Sequence, residues 1–163
     1  MATMNNLNAA VVATVLVIVA AVIFVVWPTS DRKAERDASA VTLRPGDSDL
    51  VATGGRLYSV HCASCHGANL EGQANWRTRR PNGRLPAPPH DETGHSWHHP
   101  DKLLFKLTKF GAAALAGGGY KSDMPAFNEV LADEEIVAVL SYIKSRWPAR
   151  IRERHDGLNS RNR

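Results

Sequence analysis

Both cysteines of this 163-residue chain fall inside one five-residue stretch, Cys62-Ala63-Ser64-Cys65-His66, and any fold must be built around it. The stretch places two thiols three positions apart on a helical turn, with an imidazole directly after them. A four-cysteine zinc site is excluded by count. A thioredoxin-type redox pair belongs in a βαβ setting, and no strand pattern surrounds this one. A finger of two cysteines and two histidines would draw on His90, His95, His98 or His99. The 29 residues between Cys65 and His95 are too many for a finger.

Composition narrows the choice further. The chain is 44% hydrophobic, but residues 1–27 hold 22 apolar residues and no charge, while all 20 basic and 16 acidic residues follow. The rest is therefore a polar body poor in core material, and such a body needs a staple, a metal or a cofactor. This distribution argues against a polytopic membrane protein, a plain cytosolic enzyme and a disulfide-dense scaffold. The remaining reading of the motif, covalent attachment of one c-type haem, meets the need. Cys62 and Cys65 add to the two haem vinyl groups, and the imidazole of His66 falls beneath the iron.

A second iron ligand is then sought among few candidates. Met1 and Met4 precede the apolar run, which leaves Met124 as the sulfur ligand of the body. It lies 58 residues after His66, behind Gly117-Gly118-Gly119 and before Pro125. Methionine is also a common gap-filler in cores. Here Met-Pro before Ala126-Phe127 reads as a positioned loop.

The pattern elsewhere is helical. Asp47-Ser48 caps a run with Leu50, Thr53, Gly54, Leu57 and Tyr58 on one face. A helix from Pro100 carries Leu103, Leu104, Leu107 and Phe110 and stops at Gly111. A third, Asp133 to Trp147, carries Ile136, Val139, Leu140, Ile143 and Trp147, and Pro148 ends it. Residues 67–89 have no sustained periodicity. Residues 149–163 read as a basic, frayed C-terminal tail. No strand pattern and no internal repeat occur, so the fold class is all-α.

These residues together resemble the class I cytochromes c. Gly54 and Tyr58 precede Cys62 at that family's spacing, Cys62-Ala63-Ser64-Cys65-His66-Gly67 matches its attachment motif, and Met124-Pro125-Ala126-Phe127 is similar to its sixth-ligand loop. Leu131 to Trp147 resembles its C-terminal helix, with Ala132 where the family often has Ser or Thr and Asp133 expected to cap instead. The likeness spans the haem domain, residues 47–148, and leaves Asn69 to Pro100 unspecified.

The resemblance implies N- and C-terminal helices crossing near Gly54 and Tyr142 around one covalent haem c, with His66 and Met124 as axial ligands. No open iron position would remain. The implied function is single-electron transfer between respiratory or photosynthetic partners, such as a quinol-oxidising complex, a dehydrogenase, a terminal oxidase or a reaction centre. A thioether ligand suits that role, because it raises the potential. Two alternatives stand beside this reading: a fixed haem subunit of a larger oxidoreductase, and a ligand-binding or sensory haem protein if Met124 is displaced.

After a short segment 1–8, residues 9–27 form a 19-residue run whose one polar member is Thr14. At ~1.5 Å per residue such a helix is ~28 Å long, which spans a bilayer core. A cleaved signal ending at Ala38-Ser39-Ala40 is the rival, but that site lies too far past the run. A membrane anchor followed by a tether, residues 28–46, is the reading adopted. Arg32, Lys33 and Arg36 after the span favour a cytoplasmic body by charge. Haem attachment in the resembled family takes place on the outer side, so the expectation is a single-pass inner-membrane protein with its haem domain in the periplasm.

Four histidines crowd into residues 90–99. They read as a metal site through His95 and His99 or His90 and Asp91, or as a loop over the haem in which Trp97 contacts a propionate. The second reading is preferred, because histidine spacing alone is a weak metal signal. Arg77, Arg79, Arg80 and Arg84 form a solvated basic loop, or else a docking patch or partners for the haem propionates. Net charge is +4. Haem and a membrane span argue against a nucleic-acid partner and for an acidic protein surface or anionic lipid.

Overall fold

The computed structural model describes residues 41–162, and within them every regular element is helical. The expected span at 9–27 and most of the expected tether lie outside the described residues. The elements are α1 (Ser48–His61), α2 (Ala63–His66), a 3-10 turn (Ser96–His98), α3 (Asp101–Phe110), α4 (Ala112–Ala116), α5 (Asp133–Ser145) and α6 (Ala149–Ser160).

Helix α1 starts where a carboxylate can cap it: Asp47 accepts from the Leu50 N–H at 3.1 Å. Its buried face is Gly54 and Tyr58, and it lies across α5. A Cβ on Gly54 would sit 2.0 Å from the Ala138 carbonyl oxygen, so the crossing admits no side chain there. Tyr58 meets Tyr142 with ring centroids 5.5 Å apart. The crossing expected from the sequence is present. Ile136, Val139, Leu140, Ile143 and Trp147 all turn into the core from α5 and the residues just after it. Each such side chain contributes roughly 1.5–3 kcal/mol on burial.

Two local expectations are corrected. Asp133 does not cap α5. Ala132 occupies the cap position, its N–H is held by the Glu135 carboxylate at 2.8 Å, and Asp133 instead pairs with Lys109 at 2.6 Å. On α3 the buried stripe is Asp101, Leu104, Phe105 and Thr108, one position around from the expected face, and Phe110 is 45% exposed. Both stripes have helical spacing. The buried one includes Asp101 because its carboxylate accepts from the Leu43 N–H and the Asn159 amide.

The basic tail is not frayed. Pro148 breaks the chain for one step, and α6 then runs to Ser160 with Ile151 and His155 buried. Asn159 and Asp101 form a reciprocal pair: the Asp101 N–H donates to Asn159 Oδ1 at 2.8 Å, and Asn159 Nδ2 donates to Asp101 Oδ1 at 2.9 Å. The other Asp101 oxygen accepts from the Leu43 N–H at 2.9 Å, which pins residues expected to be tether onto the domain. His155 Nε2 donates to the His99 carbonyl at 2.9 Å, and its ring stands edge-on to Trp147. A helix held by polar partners leaves little apolar periodicity to read.

Burial lowers the His155 pKa from 6.5, aided by the Lys144 ammonium and opposed by Asp101, the His99 carbonyl and Asp156. The neutral ring is therefore the folded form, and the unfolded chain takes up the proton first. This contribution to stability is complete above about pH 6.5 and is lost as pH falls below it. We expect His155→Gln to be less stable at pH 7. Its stability should fall less steeply between pH 7 and 5, by up to about one proton in slope, as read by denaturant unfolding.

Candidate haem site

The motif sits where α1 breaks. Cys62 leaves helical geometry (φ −120°, ψ −39°), and the single turn α2 restarts with Cys65 and His66 both donating to the Cys62 carbonyl, at 3.1 and 2.9 Å. The two cysteines form no disulfide and sit in different settings. Cys62 is half-buried against the core, and Cys65 is exposed. Burial, and secondarily Cys65, push the Cys62 thiol up to about 11.

His66 is buried, and its Nδ1 lies 2.9 Å from the Pro88 carbonyl. A carbonyl only accepts, so Nδ1 carries the proton and Nε2 keeps the lone pair. Desolvation lowers the ring's pKa, with the Pro88 bond opposing, and so favours the neutral, ligating form. The loop that supplies Pro88 is fastened tightly to the motif. The Gly72 N–H donates to the His66 carbonyl at 2.7 Å, and a Cβ on Gly72 (φ +69°) would lie 2.4 Å from the Pro89 nitrogen. Tyr58 donates its hydroxyl to the Gly67 carbonyl at 2.8 Å.

Met124 is half-buried and packs against the same core as Cys62 and Ala63. Three glycines with positive φ, Gly117, Gly118 and Gly119, lead into its loop. Beyond it Phe127 is buried, with its N–H bonded to the Thr108 and Lys109 carbonyls. The Phe127 ring meets His61 edge-on at 6.4 Å, beside the residue just before Cys62. Cys62 and Met124, from two distant segments, thus pack against one core, while His66 is buried and Cys65 is exposed. The donor set of two thiols, one neutral imidazole nitrogen and one thioether fits haem c.

The histidine-rich loop is used for stacking. His90 lies on the His66 ring (centroids 4.0 Å, planes 20° apart) and bonds Ser96 through Nδ1 at 2.7 Å. Trp76 stacks on His95, and Trp97 on His98. Among the described residues no group of three possible ligands could hold a separate metal ion. The Trp97 N–H points to the Glu92 carbonyl at 3.3 Å, so a propionate contact requires it to give up that long bond. Sequence reasoning missed both the Pro88 carbonyl and the His90 stack. The run Leu85-Pro86-Ala87-Pro88-Pro89-His90 was the available signal, since consecutive prolines fix an extended strap with unpaired carbonyls.

A family model described as cytochrome c matches residues 51–147. No protein of curated function matches the chain. Among solved structures, the chain is similar to the crystal structure of cytochrome CL from the marine methylotrophic bacterium Methylophaga aminisulfidivorans. Identity is 21%, the alignment covers 72% of this chain and 70% of that one, and the TM-score is 0.46.

Proposed function

We propose, since this chain belongs to the cytochrome c family, that it is a membrane-tethered carrier of single electrons whose haem domain lies on the periplasmic side of the inner membrane. Family membership itself implies haem c, electron transfer and a carrier rather than an enzyme. The observation that carries the site assignment is the His66 ring, held through Nδ1 by the Pro88 carbonyl directly after a Cys-x-x-Cys pair.

On this reading Cys62 and Cys65 hold the group by thioether bonds, His66 Nε2 and the Met124 sulfur bind its iron, and Trp97 contacts a propionate. Haem c supplies the one-electron couple when bound. The chain's part is to keep His66 neutral and oriented and to hold Met124 against the core. Two protein ligands leave no place for a substrate at the metal. Redox proteins of the same membrane, such as a quinol-oxidising complex or a terminal oxidase, are the proposed partners.

The tether is tested by removing residues 1–28 behind a cleavable export signal. The shortened protein should leave the membrane fraction for the soluble one with an unchanged haem spectrum. Native protein that is soluble and begins near Val41 would overturn the anchor.

A further inference from the structure

The arginines of the loop between the motif and α3 are neither free in solvent nor simply spread over the surface. Arg84 Nη1 lies 2.7 Å from Asp123 Oδ1, and Arg80 Nη1 lies 3.7 Å from Asp123 Oδ2. The Arg79 guanidinium sits over the Tyr120 ring, 5.5 Å from its centroid. Asp123 is the residue immediately before Met124. On that side of Met124 the chain is built from three positive-φ glycines and an exposed stretch. Its own polar bonds there are local: Tyr120 to Gly117, and Met124 to Ser122. Among the described residues, the arginine contacts are the polar ties of 117–124 to the rest of the domain.

The same loop is braced at its other end. Arg80 Nη2 donates to Gln73 Oε1 at 2.9 Å, which also accepts the Ala87 N–H at 3.0 Å, while the Gln73 N–H donates to the Ala87 carbonyl at 2.9 Å. Ala87 precedes Pro88, whose carbonyl orients His66. One strap therefore reaches from the residue that fixes His66 to the residue beside Met124.

We infer that Arg84, with Arg80, acts through Asp123 as a clasp that positions Met124 and keeps it from swinging away. The inference rests on Met124 being the sixth ligand. Asp123, Arg80 and Arg84 are positioning residues, and none is placed on the cofactor. Exposed ion pairs have small energies. A small energy suffices here, because the loop is anchored after Met124 by Phe127 but enters through three glycines, and on that entry side the arginines are its polar ties.

The test uses full-length ferric holoprotein and imidazole, a neutral competitor for the sixth position. Arg84→Gln and Asp123→Asn should each raise imidazole affinity about twofold to fivefold, without lowering the thermal midpoint. Asp123→Asn frees both arginines and should show at least as large a change. The double variant should bind no tighter than the stronger single one, because both remove the same contact. The two substitutions change net charge in opposite directions, so a field effect on the iron would move affinity in opposite directions. Opposite shifts, additive shifts or unchanged affinities overturn the clasp. The far-red Fe–S absorption band of the wild type separates the two layers. If that band is absent, the ligand assignment falls and the clasp with it. If the band is present and affinities do not move, the clasp alone falls.

Discussion

Replacing Cys62 and Cys65 together with Ala should yield a chain that carries no haem through denaturation and accumulates poorly, where the wild type keeps its haem in acidified organic solvent. The single variants should differ in kind. Cys65 is exposed, so its truncation leaves packing intact and removes one thioether; this is the cleaner test of attachment. Cys62 is half-buried against the core, so Cys62→Ala also removes packed sulfur and should lower stability beyond the loss of its bond, by on the order of 1 kcal/mol. The expectation that attachment failure costs folding follows from composition. The chain is poor in apolar residues once the uncharged run at its start is set aside, and a covalent group of haem's size supplies what such a body lacks. Haem that is wholly extracted from the wild type by acid solvent would refute the c-type assignment.

How much of this was readable beforehand depended on what holds each element. Helices α1 and α5 are held by apolar stripes and a close backbone crossing, and Gly54, Tyr58 and the stripe from Ile136 to Trp147 announce themselves by spacing. The motif and the Met124 loop stood out as candidates because sulfur-bearing side chains are scarce in this chain, with two Cys and three Met. Helix α6 was not legible. Its docking rests on His155, Asn159 and Asp101, and a reciprocal amide–carboxylate pair has no hydrophobic period. The 3-10 turn and the strap before it were hidden for a related reason. Their shape is set by backbone bonds such as His90 N–H to the Leu70 carbonyl, and by Leu70 and Asn75 at positive φ, where neither residue type nor spacing gives notice. The shifted face of α3 has the same origin, since a buried carboxylate fixes which stripe turns inward.

The proposed ligand set and the proposed carrier function stand on one expectation: His66 and Met124 would together complete the coordination of the haem iron, leaving no position for a small ligand. A thioether at the sixth position stabilises the reduced iron and raises the potential, while denying access to small ligands. Met124→Ala should therefore lose the far-red Fe–S band, lower the reduction potential and bind carbon monoxide. The most direct measurement is the absorption spectrum of reduced, full-length wild-type protein before and after carbon monoxide is added at neutral pH. The account predicts an unchanged wild-type spectrum, beside a shifted one in Met124→Ala. A wild-type protein that binds carbon monoxide readily, with a spectrum matching that of the variant, would contradict it.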